Sequence, residues 1–301
     1  MKPSVQTLHR SHAARRGAIG SYVQLTKPRI SLMVTLTGAV GYFMASRAGI
    51  DGWGLLHLML GTLLVSGAAN TLNQVLERTP DAIMQRTARR PIPLGRVGTG
   101  PAVAFASVLG LGGVLYTGLV LNFLTAMIAA ITMASYAFVY TPLKRRTSLN
   151  TLIGAVPGAL PPLGGWAAAR GTLGLGGWVL FAIVFFWQIP HFMSIAWLLR
   201  REYAKAGFRM LPVVDPSGVR TARHMAVTAA VLVPLSLLPS ALGLTGSVYL
   251  GGAFALSTAY AAVSFWAGRR LDTARARRLF LFSLIYLPAL LAFMMIDKLP
   301  G

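Results

Sequence analysis

Apolar runs of membrane-spanning length, separated by short polar segments, recur along nearly all of this chain. They fall near 30–46, 54–76, 101–118, 122–140, 150–168, 175–198, 224–242, 247–267 and 279–296. A helix needs about 20 predominantly apolar residues to cross the hydrocarbon of a bilayer. The pattern therefore predicts an all-α integral membrane fold of nine transmembrane helices. The third and fourth are joined tightly around Leu121 and Asn122. The fifth run carries Gly154, Pro157, Gly158, Pro161, Pro162, Gly164 and Gly165, which predicts kinks. Such kinks are tolerated at membrane depth where protein or a cavity covers the freed backbone.

Composition agrees: 55% of residues are hydrophobic and 12% charged, against about 25% charged in ordinary soluble domains. A net charge of +21 would suit a nucleic-acid binder, but its distribution excludes that reading. Of the 28 Lys and Arg, 25 fall in alternate interhelical segments beginning with the N-terminal one. This is the positive-inside bias. It predicts a multi-pass protein of the cytoplasmic (inner) membrane, N-terminus in the cytoplasm and C-terminus outside. Residues 1–24 read as a basic cytoplasmic arm that meets anionic headgroups, and 25–301 as one membrane domain. The first twenty residues lack the apolar stretch of a secretory signal. Zero cysteines exclude disulfides, thiolate metal sites and cysteine nucleophiles.

Only seven residues are acidic, and four of them (Glu77, Asp81, Glu202, Asp215) lie in the cytoplasmic segments after the second and sixth runs. Asn73, Glu77 and Asp81 are four apart, so on one helix a single face presents all three. An amide and two carboxylates there can hold a hard divalent cation through oxygen. Arg86, Arg89 and Arg90 follow, and Arg86 and Arg90 suit phosphate oxygens; Arg89 reads as a solvated charge. Asn70 and Asn73 are costly near a membrane helix end unless they hydrogen-bond or line a wet cavity. Pro80 predicts that the helix ends or kinks around Thr79. The reading is a metal–diphosphate site at the mouth of a helix bundle.

Two further segments belong with it. In FFWQIPHFMSIAWLLRREYAKAGFRMLPVVD, Glu202 and Lys205 follow the helix end and Pro190 predicts a kink at depth. His191 inside the span is a candidate iron ligand, proton-transfer group or orienting group, or else a neutral core histidine. In SYAFVYTPLKRRTSLN, Lys144 follows Tyr140 by four and could point a cation and a phenol into the same mouth, whereas Arg145 and Arg146 read as topology charges.

These residues resemble the UbiA superfamily of prenyltransferases. The signature N-x3-[DE]-x3-D-x2-M-x-R-[ST]-x2-R-x4-G is matched by Asn73, Glu77, Asp81, Met84, Arg86, Thr87, Arg90 and Gly95. LTKPRI at 25–30, YTPLKRRTSLNTLIGAVPGALPPLGGWAA at 140–168 and WQIPHF…EYAKAGFRMLPVV at 187–214 resemble the branch whose members farnesylate haem. Pro80 stands where the signature usually has an aliphatic or aromatic residue, and Glu202 where relatives often carry aspartate. The resemblance implies nine helices around a central cavity, capped by the cytoplasmic loops between helices 2 and 3 and between helices 6 and 7. It implies farnesyl diphosphate as donor, haem B as acceptor and Mg²⁺ as cofactor. The expected roles are Glu77, Asp81 and Glu202 on the metal, with Asn73 beside them. Arg86, Arg90, Lys144 and Lys205 are expected on the diphosphate, Tyr140 on cationic charge, and His191 on haem. A contact of the N-terminal arm with haem A synthase, which oxidises the product further, is also open. Other acceptors, such as a quinone-ring precursor or another tetrapyrrole, remain alternatives, as do a small-molecule transporter and a purely structural assembly subunit.

Overall fold

The computed structural model describes residues 17–47 and 49–300. The described chain is helical, apart from short connections and one isolated bridge between Thr245 and Lys298. The long helices are α2 (Pro28–Ala45), α3 (Gly52–Leu76), α5 (Thr99–Val120), α6 (Phe123–Leu143), α7 (Asn150–Arg170), α8 (Leu175–Leu198), α11 (Val219–Ala241), α12 (Ser247–Arg269) and α13 (Thr273–Ile296). Short helices lie between them: α1 (Ala18–Leu25), α4 (Arg78–Ile83), α9 (Arg200–Lys205) and α10 (Leu211–Val214).

Among the described residues, eight helices are long and apolar enough to cross a membrane, which makes the chain a multi-pass membrane protein. The first expected span, α2, is helical but is not one of the eight. Its 18 residues make about 27 Å of helix, and Arg29, Ser31, Thr35 and Thr37 dilute its hydropathy. It nonetheless touches both ends of the bundle. Lys27, just before it, bonds Asn73 at one end, and the Phe43 and Ser46 carbonyls accept from Lys298 Nζ at the other.

The packing forms two groups that meet where α7 packs on α8. Helix α7 packs on α2, α6 and α8, and a ring closes through α2–α3–α5–α6–α7. The second group is α8, α11, α12 and α13, whose core buries Leu232, Tyr249, Tyr260 and Tyr286 completely. Buried phenols must bond: Tyr249 OH donates to the Ser236 carbonyl at 2.8 Å, and Tyr286 OH lies 3.0 Å from Ser236 Oγ. On the outside, Val108, Leu111, Leu115 and Leu119 of α5 are exposed at helical spacing, the face expected against lipid.

The Gly- and Pro-rich fifth run is one helix from Asn150 to Arg170 with three prolines inside it. Small residues let its backbone meet that of α2. A Cβ on Gly41 would overlap the Pro162 carbonyl, and one on Gly165 the Gly38 carbonyl. At the tight link between α5 and α6, Asn122 caps the latter, its Oδ1 accepting from Thr125 N at 2.9 Å.

Two helices start earlier than the apolar pattern predicts. Helix α11 begins at Val219 rather than near 224, with Asp215 Oδ2 accepting from Thr221 N at 2.9 Å. Helix α13 begins at Thr273 rather than 279, with Asp272 Oδ1 accepting from Arg275 N at 2.8 Å. Their basic first turns extend the helices beyond the apolar run, because capping rather than hydropathy sets a helix start.

Residues 1–16 of the expected basic arm lie outside the described residues. The rest of that arm is α1, and Leu25 at its end is buried against Val75, Ile92, Val97 and Ala102.

Candidate active site

The end of α3 builds the first wall. Glu77 N donates to the Asn73 carbonyl at 2.9 Å and Asp81 N to the Glu77 carbonyl at 2.8 Å, so near-helical spacing carries through the three positions. All three are buried, with Asp81 at 0% exposure. The break comes at Glu77 (φ −96°, ψ 13°), not around Thr79 as expected from Pro80. The reason is local: a proline interrupts the helix at the carbonyl four residues back, here that of Leu76, rather than at its own position. Past α4 the chain turns inward, with Thr87 Oγ1 donating to the Asp81 carbonyl at 2.8 Å. Gly95 takes a left-handed φ of +68°, which glycine adopts without steric cost.

The second wall is the end of α6. Its last turns widen into a π-helical segment, Ser135–Tyr140. Pro142 lacks an N–H and crowds the carbonyl four residues back, and Thr141 Oγ1 bonds the Tyr136 carbonyl at 2.9 Å. Inserted π turns of this kind frequently mark functional sites. The turn brings Lys144 over the Tyr140 ring, Nζ 4.5 Å from its centroid, and to 2.8 Å from Glu77 Oε1. A Cβ on Gly154 of α7 would overlap that ring.

The third wall is the loop after α8. Arg209 N donates to the Lys144 carbonyl at 2.7 Å, and Asn150 Nδ2 to the Arg209 carbonyl at 3.1 Å. Met84 packs with Ala196, Ala206, Phe208 and Met210. These contacts bring together the loops on either side of α4 and α9, as the expected cap requires.

Charge is arranged in pairs. Asp81 is salt-bridged to Arg90 Nη1 and Glu77 to Lys144. Burial raises the Asp81 carboxyl above its usual range despite Arg90. For Lys144, burial opposes the charge, but Glu77 and the Tyr140 and Tyr136 rings outweigh it, and its ammonium is held above the usual lysine value.

Lys27 was not singled out from the sequence, yet it belongs here. Its Nζ donates to Asn73 Oδ1 at 3.0 Å, while Asn73 Nδ2 reaches Thr141 Oγ1 at 3.2 Å. Burial lowers its pKa to about 7, with Arg90 and Lys144 adding to that effect and Glu77 and Asp81 opposing it. It has the one left-handed φ outside glycine among the described residues, +48°. Such a conformation costs about 1–3 kcal/mol and persists where the surroundings impose it. Here they do: Gln74 Nε2 donates to the Leu25 carbonyl at 2.7 Å and Asn70 Nδ2 to Ser31 Oγ at 3.2 Å. The polar residues of α3 thus clamp the Lys27 turn. The readable signal was a lysine before Pro28, a position where ordinary helical backbone is disfavoured.

The other expected residues are distributed differently. Arg86 and Lys205 are exposed. Glu202 is partly buried, its Oε2 without a hydrogen-bond partner. Among the described residues no group of three or more His, Cys, Asp or Glu could hold a metal ion. Glu77, Asp81 and Glu202 are therefore not a ready-made ligand trio, because two of them are drawn to cations that offset their burial. Oxygen donors are nevertheless available: Asp81 Oδ1 and Glu202 Oε2 are buried and unbonded, which suits a hard divalent cation. His191 has other company, bonding Ser283 and packing with Trp187, Phe192 and Phe280.

Buried carboxylates paired with part-buried cations at one end of an apolar bundle suit a charged head group with a lipophilic body. The chain belongs to the UbiA prenyltransferase family, whose pattern matches residues 31–286. It is 44% identical over 289 residues to the protoheme IX farnesyltransferase of Solibacter usitatus (strain Ellin6076), covering 93% of this chain and 99% of that one. It is 38% identical to the mitochondrial protoheme IX farnesyltransferase of Arabidopsis thaliana, covering 92% and 64%. Two solved structures share the fold. A digeranylgeranylglyceryl phosphate synthase matches with a TM-score of 0.78 at 18% identity, covering 93% of this chain and 98% of that one. A UbiA homologue from Archaeoglobus fulgidus bound to GPP and Mg²⁺ matches with 0.68 at 16%, covering 91% and 99%.

Proposed function

We propose that this chain transfers the farnesyl group of farnesyl diphosphate to a vinyl group of haem B, giving haem O and diphosphate. The observation that carries the site reading is the constellation of buried Asn73, Glu77 and Asp81 with part-buried Lys27, Arg90 and Lys144 at one end of an apolar bundle. Haem as acceptor is supported by relatives of that name along nearly the whole chain. Mg²⁺ would be held by Asp81 and Glu202, whose Oδ1 and Oε2 are buried and unbonded, and by Glu77 where Lys144 gives way to it; when bound it would supply positive charge against the departing diphosphate.

The chain's own cations do the same work. Arg90, Lys144 and Lys27 present donors where negative charge grows as the allylic C–O bond breaks, and preorganised donors there lower the barrier. Arg86 and Lys205 reach the diphosphate from the rim. The Tyr140 ring, already beneath Lys144, faces the developing allylic cation through its π-surface. The vinyl carbon of haem attacks that cation, and water captures the resulting cation on the macrocycle with loss of a proton. Apolar helix walls keep water from the farnesyl cation until that bond has formed. Haem B approaches along α8, where His191 is its contact.

The orientation follows from charge: the basic loops, the active-site mouth and the N-terminus face the cytoplasm and the C-terminus lies outside, in the cytoplasmic membrane. Residues 25–301 form the catalytic membrane domain, and haem A synthase is the candidate partner for the basic arm. The deciding experiment incubates purified protein with haem B, farnesyl diphosphate and Mg²⁺ and reads the product mass. The mass of haem O supports the assignment, and unchanged haem B would refute it.

A further inference from the structure

Serine 283 holds a stacked pair of rings from across the bundle. Its Oγ lies 2.7 Å from His191 Nδ1, and its carbonyl accepts from Trp187 Nε1 at 3.0 Å. Trp187 and His191, one turn apart on α8, stack with centroids 5.0 Å apart and planes 24° apart. Tyr260 OH donates to the Trp187 carbonyl at 3.1 Å from a third helix. Ser283 is fully buried and His191 is 8% exposed.

Counting protons fixes the imidazole. A serine hydroxyl has one proton to donate. That proton goes to the Phe280 carbonyl, 2.5 Å from Ser283 Oγ, and a carbonyl can only accept. Ser283 Oγ is then left to accept, so the proton on the 2.7 Å contact belongs to His191 Nδ1. In a buried, apolar setting with no carboxylate partner the ring is neutral, and a neutral imidazole protonated on Nδ1 keeps its lone pair on Nε2. No hydrogen bond reaches Nε2 among the described residues.

We propose that Ser283 is a positioning residue that locks His191 as the Nδ1–H tautomer and presents the Nε2 lone pair as an axial ligand to the iron of the haem acceptor. This rests on the reading of the chain as a haem-modifying transferase. A metal-binding histidine characteristically donates its other ring nitrogen to an oxygen acceptor, which sets tautomer and orientation, and loss of such a partner typically costs 10–100-fold in affinity. The neighbouring rings of Trp187, Phe192 and Phe280 supply an aromatic surface suited to a macrocycle. A histidine kept only for core packing would need no particular tautomer.

The test is a haem B titration of purified full-length protein followed by absorption spectroscopy, for wild type, His191→Ala, Ser283→Ala and Ser283→Thr. The expected result is a histidine-ligated Soret band in wild type that His191→Ala abolishes. Ser283→Ala should weaken haem affinity by about 10-fold and shift the band, while leaving KM for farnesyl diphosphate unchanged. Ser283→Thr, which keeps the hydroxyl, should restore band and affinity. A wild-type spectrum and affinity in Ser283→Ala would overturn the positioning role, and a wild-type spectrum in His191→Ala would overturn ligation itself. Haem O formation is measured on the same wild-type preparation, so failure of the transferase reading is scored separately from failure of this relay.

Discussion

Lys144 Nζ sits 2.8 Å from Glu77 Oε1, joining the end of α6 to the end of α3 across 67 positions of sequence. Both side chains are nearly buried, at 14% and 7% exposure. The pair therefore ties the two walls of the site together while occupying groups that chemistry would use.

Removing one partner should separate those two roles. Lys144→Met leaves a buried, uncompensated carboxylate, a change that costs about 3–5 kcal/mol. The double variant Lys144→Met/Glu77→Gln removes both charges and should recover most of that stability without recovering turnover. Thermal unfolding in detergent and haem O yield, measured on the same samples, check both halves. Recovery of both together would make the pair a structural strut only.

Asp81→Asn keeps shape and volume while removing the carboxylate beside Arg90. Turnover should fall by about 10²-fold or more, the scale for losing a preorganised electrostatic group, with the helical content unchanged. Asp81→Ala and Glu77→Gln should behave alike in a haem-extract assay. Haem O formation at wild-type levels in both would remove these carboxylates from the mechanism.

Arg86 and Lys205 are exposed, so replacing either with Ala should change stability by less than about 0.5 kcal/mol. If they reach in to grip diphosphate, KM for farnesyl diphosphate rises several-fold while the melting temperature stays put. An unchanged KM in the double variant would return both to the solvated surface.

The α2–α7 contact offers a packing test. Gly41→Ala drives a methyl into the Pro162 backbone carbonyl, whereas a Cβ on Gly38 meets the Pro161 carbonyl oxygen at 3.4 Å. Overpacking of this kind costs about 1–3 kcal/mol, so Gly41→Ala should lower the unfolding temperature distinctly more than Gly38→Ala.

Asp215 supplies a pH dependence outside the spans. Burial raises its pKa, but bonds from Thr221 N, Ser217 Oγ and Thr221 Oγ1 outweigh it, and the carboxyl is held below its usual value. A depressed folded-state pKa contributes stability that is present above the unfolded value of about 4 and is lost as pH falls through the folded one. Asp215→Asn, which keeps the shape but not the charge, should therefore unfold earlier than wild type at pH 7. The gap should close as both are taken below pH 4.

Much of this protein was readable in one dimension. Apolar runs gave the helices because a segment facing lipid must be continuously apolar for about 20 residues. The signature from Asn73 to Gly95 pointed to a candidate site because carboxylates at four-residue spacing share a helix face. Features that are not periodic were not legible in this way. Helix starts at Val219 and Thr273 depended on caps, and the break at Glu77 depended on a proline three residues later.

Tertiary structure alone decided the partnerships. Nothing in spacing says that Lys27 bonds Asn73, that Lys144 answers Glu77, or that Ser283 and His191 meet 92 positions apart. The sequence by itself determined a basic-faced membrane bundle and the family of its chemistry, since hydropathy and local motifs are properties of neighbouring residues. Pairing of buried charges is a property of space: Glu77 meets Lys144 and Asp81 meets Arg90 because folding brings them within reach, not because of their distance along the chain.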